Sequence, residues 1–310
     1  MPLTLAGTFE AGHFEYDSTM ALMRLDDARA LLGVAHADQL GVQADRRVVD
    51  EDPAVDLADV DGLKRVVAEV QPDVVAHLAA IAFVGHGNAD EFYKVNLIGS
   101  RNLLAALASC DRKPECVLLA SSANVYGNAA AGALTEATPP NPANDYAVSK
   151  IAMEYMARLW MDRLPVVIAR PFNYTGPGQA VNFVIPKLVD HFARRASAVE
   201  LGNLHVEREF NDVRMVCRVY RALLEKPMPG EVFNVCSGQP YTLQYVIDVL
   251  SQLSRHQLEV RVNPAFVRAN EVHRLCGSPA KLIDAVGDLP FSPLNATLQW
   301  MLEEAQSQLC

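Results

Sequence analysis

No apolar run in this chain approaches the roughly 18 uncharged residues that a membrane-spanning helix needs, so no bilayer span is expected. The N-terminus lacks a basic segment followed by an apolar one, so no secretory signal is expected either. Cysteine is sparse, and Cys110, Cys116, Cys217, Cys236, Cys276 and Cys310 form neither a CxxC pair nor a metal-ligand spacing. A chain of 310 residues can bury a core of its own without disulfide staples, so the six read as reduced thiols of a cytoplasmic protein. Positive charge is in deficit: 27 Lys+Arg against 37 Asp+Glu leave a net charge of −10. That balance excludes nonspecific nucleic-acid binding, which needs a basic surface. It leaves room for one phosphorylated small molecule, for which a few local arginines suffice.

What is present is a rhythm. Short apolar runs at Leu3–Ala6, Asp73–Leu78, Cys116–Ala120 and Val166–Ala169 alternate with helical patterns over Glu91–Ala108 and Tyr146–Asp162. Strands apolar on both faces and separated by helices predict a parallel sheet covered on both sides, and right-handed crossovers make it doubly wound. After Pro171 the texture changes, with Gly176-Pro177-Gly178 first. Val184–Arg195, Val213–Glu225 and Leu243–Ser254 read as helices, and Val199–Leu201, Glu231–Val235 and Glu259–Val262 as strands. This half has no βα repeat of its own. The expectation is an α/β chain with a sheet domain over 1–172 and a smaller α/β domain over 173–310, some of whose strands return to the first sheet.

The residues that carry chemistry begin with Tyr146-Ala-Val-Ser-Lys150. Positions four apart share a helix face, and an ammonium beside a phenol favours the phenolate, which prepares the tyrosine for proton exchange near neutral pH. About 24 residues upstream, the Cys116–Ala120 run ends in Ser121-Ser122. A hydroxyl at the carboxyl edge of a parallel strand points to the crevice where open α/β sheets bind ligands. Ser122 there suits a carbonyl that gains negative charge, and Ser121 suits a helix cap. Arg170-Pro-Phe-Asn173 follows the next strand and brings another polar group to the same edge. His77, inside an apolar strand, reads as a core histidine with its hydrogen bonds met, and His36 and His86 as loop residues without metal-ligand company.

Ser-x-x-Val-Tyr-Gly (Ser122–Gly127), Tyr-x-x-x-Lys (Tyr146–Lys150) and Arg170–Gly178 together resemble the extended short-chain dehydrogenases/reductases, the NAD-dependent epimerase/dehydratase family. Leu201–Leu204, Arg208–Val213, Phe233–Gly238 and Arg268–Val272 are similar to the GDP-mannose 4,6-dehydratase and GDP-4-keto-6-deoxy-D-mannose reductase group within it. The likeness runs over about residues 55–290. It implies a Rossmann sheet, a nicotinamide cofactor (NAD or NADP), a GDP-sugar substrate and a homodimer through a four-helix bundle. Tyr146 would be the acid/base, Lys150 its partner and a ligand of the nicotinamide ribose, and Ser122 the group that polarises the sugar carbonyl. Gly7, Asp56, Leu57, Leu78, Ala79, Ala80, Asn96 and Pro171 would line the cofactor. Asn124 and Asn173 would meet the substrate, Asn173 on its diphosphate side. Arg208 and Arg268 would take the phosphates through planar paired donors, Glu271 the guanosine ribose, and Asn182, Val184 and Leu204 the nucleotide pocket. On residue type alone, the two arginines fit a surface ion pair and Glu271 a solvated loop.

Two departures matter. In the 4,6-dehydratases of this family, a glutamate typically stands two residues after the catalytic hydroxyl. Here that position is Asn124, and an amide does not titrate in the useful range. Ketone reduction is therefore favoured over dehydration, with a carbon-4 epimerase as the main rival and a non-catalytic binding protein as a further alternative. The second departure is the cofactor fingerprint. Gly7 fits its first glycine, but Glu10 and His13 stand where the next two are expected, which keeps the backbone further from a pyrophosphate. No residue near a second strand end decides between NAD and NADP.

Overall fold

The computed structural model describes residues 8–9, 20–23, 55–85, 87–128, 132–266, 272–287 and 290–309. Leu3–Ala6, Gly7, His36, His86, Arg268 and Glu271 lie outside the described residues. Among those described, a six-stranded sheet runs in the order β1 (Thr8–Phe9), β2 (Met20–Met23), β3 (Val74–His77), β4 (Cys116–Ala120), β5 (Val166–Pro171) and β10 (Val232–Val235). The inner strands β3, β4 and β5 are parallel, with Val75 opposite Val117 and Leu119 opposite Ile168. All four residues of β3 and the first four of β4 are buried, as strands covered on both faces must be. The expected parallel sheet is there. At one edge, however, β1 and β2 form an antiparallel pair, and β2 also runs antiparallel to β3.

Capping side chains set the helix starts. Asp59 accepts from the Gly62 amide at 2.9 Å and opens helix Val60–Val70, an element the apolar runs did not announce. Asn144 accepts from the Ala147 amide at 2.9 Å and opens helix Asp145–Arg158. The expected helix over Glu91–Ala108 is interrupted: α-turns at Ala89–Phe92 and Ser100–Ser109 flank a π-helical stretch at Tyr93–Gly99. Such one-turn widenings gather at functional sites because they re-aim side chains that a regular helix would send elsewhere.

The chain forms two compact units that share it in alternating segments. The first holds residues up to Val125, Asn144–Arg170 and Cys217–Phe233; the second holds Tyr126–Ala143, Pro171–Val216 and everything from Asn234 onward. The first unit buries Val75, Val117, Leu119, Val166 and Ile168 against Leu63, Leu103, Leu107 and Met153. The second packs Ile185, Leu188 and Phe192 of helix Val184–Ala193 against Val246 and Leu250 of helix Leu243–Ser254 and Leu298 and Met301 of helix Leu294–Ser307. Its small strands are β6 (Tyr174–Thr175), β7 (Ala198–Leu201), β8 (Glu207–Arg208), β9 (Asn211–Asp212), β11 (Tyr241–Thr242), β12 (Glu259–Val262) and β13 (Arg274–Leu275), in three sheets of two or three strands. Gly127 has φ +51°, and a Cβ there would lie 1.8 Å from the Asn141 carbonyl oxygen, so the residue after Tyr126 has to be glycine.

Candidate active site

In the first unit the helix Asp145–Arg158 is tied to the end of β4 rung by rung. Lys150 Nζ donates to the Ala120 carbonyl at 2.8 Å. Two turns after Tyr146, Glu154 Oε1 accepts from Ser121 Oγ at 2.5 Å and from Arg170 Nε at 2.9 Å, and its Oε2 takes Arg170 Nη2 at 2.6 Å. Tyr146, Lys150 and Glu154 therefore form one buried stripe, at spacings that put them on one helix face. Lys150 pairs with Ala120 and Glu154 with Ser121, and Tyr146 is the next rung towards the helix N-terminus. Ser122 leaves the same strand end, is 5 % exposed, and takes two hydrogen bonds from Asn124, from the amide N–H at 3.2 Å and from Nδ2 at 3.1 Å. The Tyr146 ring sits with Phe92 and Ile81, its centroid 5.9 Å from that of Phe92.

The widened turn explains Asn96. Its side chain is fully buried, accepts from the Ile81 amide at 2.9 Å, and donates to the Ile81 carbonyl at 3.2 Å and to Ser149 Oγ at 3.0 Å. Ser149 Oγ in turn donates to the Tyr146 carbonyl at 2.8 Å. Asn96 thus clamps the loop that follows β3, which carries Leu78, Ala79 and Ala80, to the first turn of the tyrosine helix. Ala79 and Ala80 are buried and Leu78 is half-buried. Asp56 caps the Ala58 amide at 2.8 Å, and the buried Leu57 offers its carbonyl to Asn102 Nδ2 at 2.9 Å. Pro171 ends β5, half-buried. These residues could hold a nicotinamide nucleotide: the side chains at Ala79, Ala80 and Ala123, just beyond β3 and β4, are only methyl groups, and an ammonium such as that of Lys150 suits ribose hydroxyls.

His77, at the end of β3, is only half satisfied, contrary to the expectation of a histidine with its hydrogen bonds met. Its Nε2 lies 2.8 Å from Ser100 Oγ, and Ser100 Oγ gives its single proton to the Asn96 carbonyl at 2.7 Å. Nε2–H is then the donor, and Nδ1 is a buried lone pair without a partner. Burial first, and the Lys150 charge second, lower its pKa from 6.5 to about 3. A histidine whose folded pKa is lowered favours the native state fully above about pH 6.5 and loses that contribution as pH falls toward 3. Denaturant titrations across that range should show a steeper loss of stability for the wild type than for His77→Leu. Parallel curves would remove His77 from the acid response.

In the second unit the substrate-side candidates are more dispersed. The Asn173 carbonyl accepts from the Asn211 amide at 2.8 Å, which holds β6 beside β9. Asn182 is exposed, Val184 is half-buried at the head of its helix, and Leu204 lines a depression of about 280 Å³ with Asn203, His205 and Val262. Arg208 Nη1 donates to the Glu207 carbonyl at 2.9 Å, and Nη2 to that of Val272. The sequence reading missed Glu209, 1 % exposed, whose carboxylate takes the amides of Ser237 (2.7 Å), Gly238 (3.2 Å) and Gly277 (2.7 Å) and the Ser237 hydroxyl (3.0 Å). A glutamate directly after a two-residue strand gives no pattern that tells a buried anchor from a solvated one. Burial, and then the Glu209 charge, push both the Cys236 and Cys276 thiols up. Burial would hold Asp212 up as well. Hydrogen bonds from Arg214 and from Thr297 Oγ1 (2.8 Å) outweigh it and keep its carboxyl below the usual range. Among the described residues no group of His, Cys, Asp or Glu could hold a metal ion, and no helix is long and apolar enough to cross a membrane.

A parallel sheet with a hydroxyl at one strand end and Tyr-x-x-x-Lys on the following crossover helix defines the short-chain dehydrogenase/reductase class, built on the Rossmann fold. Within it the chain belongs to the GDP-mannose 4,6 dehydratase family, whose match covers residues 46–290. It is 34% identical over 256 residues to GDP-6-deoxy-D-talose 4-dehydrogenase of Aggregatibacter actinomycetemcomitans, covering 82% of this chain and 87% of that one. It is 36% identical over 265 residues to GDP-6-deoxy-D-mannose reductase of Pseudomonas aeruginosa, covering 82% and 86%. Among solved structures, that of RMD from Pseudomonas aeruginosa complexed with NADPH superposes with a TM-score of 0.78 at 33% identity, over 91% of this chain and 96% of that one.

Proposed function

We propose that the chain reduces the carbon-4 ketone of a GDP-linked 4-keto-6-deoxy sugar with a reduced nicotinamide nucleotide. The observation that carries this reading is the rung-by-rung fastening of the helix to β4, through Lys150 to Ala120 and Glu154 to Ser121. That fastening fixes the Tyr146 helix against the strand end from which Ser122 leaves. The nucleotide, when bound, supplies the hydride that carbon 4 receives. Ser122 donates to the carbonyl oxygen as it gains charge. Tyr146 delivers the proton that converts that oxygen to a hydroxyl, and Lys150 favours the proton's departure by its charge. Both relatives are named for chemistry on GDP-6-deoxy sugars, and Asn124 stands where elimination of water would need an acid. Arg208 and Arg268 are assigned to the diphosphate, and Glu271 to the guanosine ribose.

Incubation with GDP-4-keto-6-deoxy-mannose and NADPH or NADH is expected to oxidise the nucleotide in step with formation of a GDP-6-deoxy sugar. Interconversion of two sugars without net reductant consumption would establish the epimerase instead, and absence of turnover with any 4-keto nucleotide sugar would overturn the reading.

A second copy of the chain is assigned to the outer face of the tyrosine helix. Val148, Tyr155 and Leu159 recur there at helical spacing with exposures of 37%, 54% and 78%, and Ile98 on the widened helix adds 42%. Apolar groups this large and this exposed in one stripe are characteristic of a contact surface. Leu159→Glu is expected to shift the protein from dimer to monomer in analytical ultracentrifugation; an unchanged sedimentation coefficient would place the contact elsewhere.

A further inference from the structure

Asn124 has a role beyond not being an acid. Ser122 Oγ accepts the Asn124 amide N–H at 3.2 Å and Asn124 Nδ2–H at 3.1 Å. A hydroxyl has two acceptor lone pairs and one proton. With both lone pairs taken by the same neighbour, the proton is the only function the Ser122 hydroxyl has left. We propose that Asn124 holds Ser122 as a pure hydrogen-bond donor, aimed at the oxygen that gains charge during reduction. Asn124 is thereby a positioning residue, and the inference rests on the reductase reading.

Three physical consequences follow from the pair of bonds. Donation into Oγ polarises the hydroxyl and strengthens the bond it gives onward, as chained hydrogen bonds do. The hydroxyl rotor is fixed before substrate arrives, so its orientation need not be set during the reaction. Finally, the residue type at 124 selects the direction of the Ser122 proton. An amide turns its N–H groups to Ser122 and leaves the proton pointing away. A carboxylate is acceptor-only and would draw that proton to itself. The amide that disfavours elimination of water at position 124 therefore also equips the serine for ketone reduction.

The test is the ordering of two substitutions. Asn124→Ala removes the Nδ2–H bond and keeps the backbone one, so kcat should fall about fivefold, the worth of one neutral hydrogen bond. Asn124→Asp keeps the size but diverts the Ser122 proton, so kcat should fall about 100-fold or more, the loss expected when an oxyanion donor is removed. KM for the keto sugar should hold within about twofold in both. If Asn124 instead contacts the sugar, both substitutions raise KM, and equal kcat losses in the two variants would overturn the inference. Neutron diffraction on the deuterated wild type provides a readout that needs no turnover. The Ser122 Oγ–D vector should point away from Asn124, and a deuteron between Ser122 Oγ and the Asn124 side chain would refute the assignment. Should the wild type reduce no keto sugar, the reductase reading fails by itself, and the neutron map still decides what Asn124 does to Ser122.

Discussion

Tyr146→Phe is expected to leave GDP-sugar binding intact while kcat falls about 100-fold or more. The substitution removes one oxygen and nothing else. The ring keeps its place against Phe92 and Ile81, because that packing is made by carbon. The helix keeps its fastening, because Lys150 to Ala120, Glu154 to Ser121 and Ser149 to the Tyr146 carbonyl do not involve the phenol. The proton delivered to the sugar oxygen is lost. Isothermal titration with a GDP-6-deoxy sugar and steady-state kinetics together separate the two effects. Undiminished turnover would refute the mechanism, and lost binding would show that the phenol holds substrate instead of transferring a proton.

Glu154→Ala is expected to cost about 3–5 kcal/mol of stability, read from urea unfolding. Both Glu154 and the Arg170 with which it pairs are almost completely buried, at 1% and 4% side-chain exposure. Whole, such a pair contributes little, because desolvation offsets attraction. Broken, it leaves the Arg170 guanidinium in the interior without the carboxylate that balances its charge. Ser121 loses its acceptor at the same time, so the strand end that carries Ser122 should loosen and the surviving folded protein should turn over more slowly. A loss below about 1 kcal/mol would mean that water reaches Arg170, and that the fastening described above is looser than its distances imply.

Where one periodicity ruled, the sequence was readable. Helix Leu243–Ser254 and strand Cys116–Ala120 have the bounds that the apolar pattern and the flanking residues predict. In the helix, Leu243, Val246, Ile247 and Leu250 are buried at i, i+3, i+4 and i+7 behind the Thr242 cap. Glu91–Ala108 shows the opposite. Its apolar residues fit a helix, but nothing in the pattern reveals that seven residues, Tyr93–Gly99, wind more widely, because that widening accompanies the contact of Asn96 with Ile81, fifteen positions away. Ser122, Tyr146 and Lys150 stood out as candidates because residue type and spacing coincided with a strand end and with the motifs around them. Glu154, Arg170 and Glu209 were not: a charged residue on a helix or strand reads as solvated until its partners, many positions away, are known to surround it. Asn124 was legible as a missing acid and a candidate substrate contact, but not as a partner of Ser122, since those bonds depend on the tight turn at Ala123–Tyr126.

Strand β10 is supplied late in the chain, yet it lies beside β5. Ile168 N–H bonds the Glu231 carbonyl at 3.0 Å and Phe172 N–H bonds that of Val235 at 3.0 Å. A sheet built from only the first 172 or so residues would have an open edge at β5, its amides available to another strand. Some sixty further residues separate β5 from the strand that covers that edge. Recombination that traded only the first or only the last half between relatives would have to supply a matching edge from the other parent.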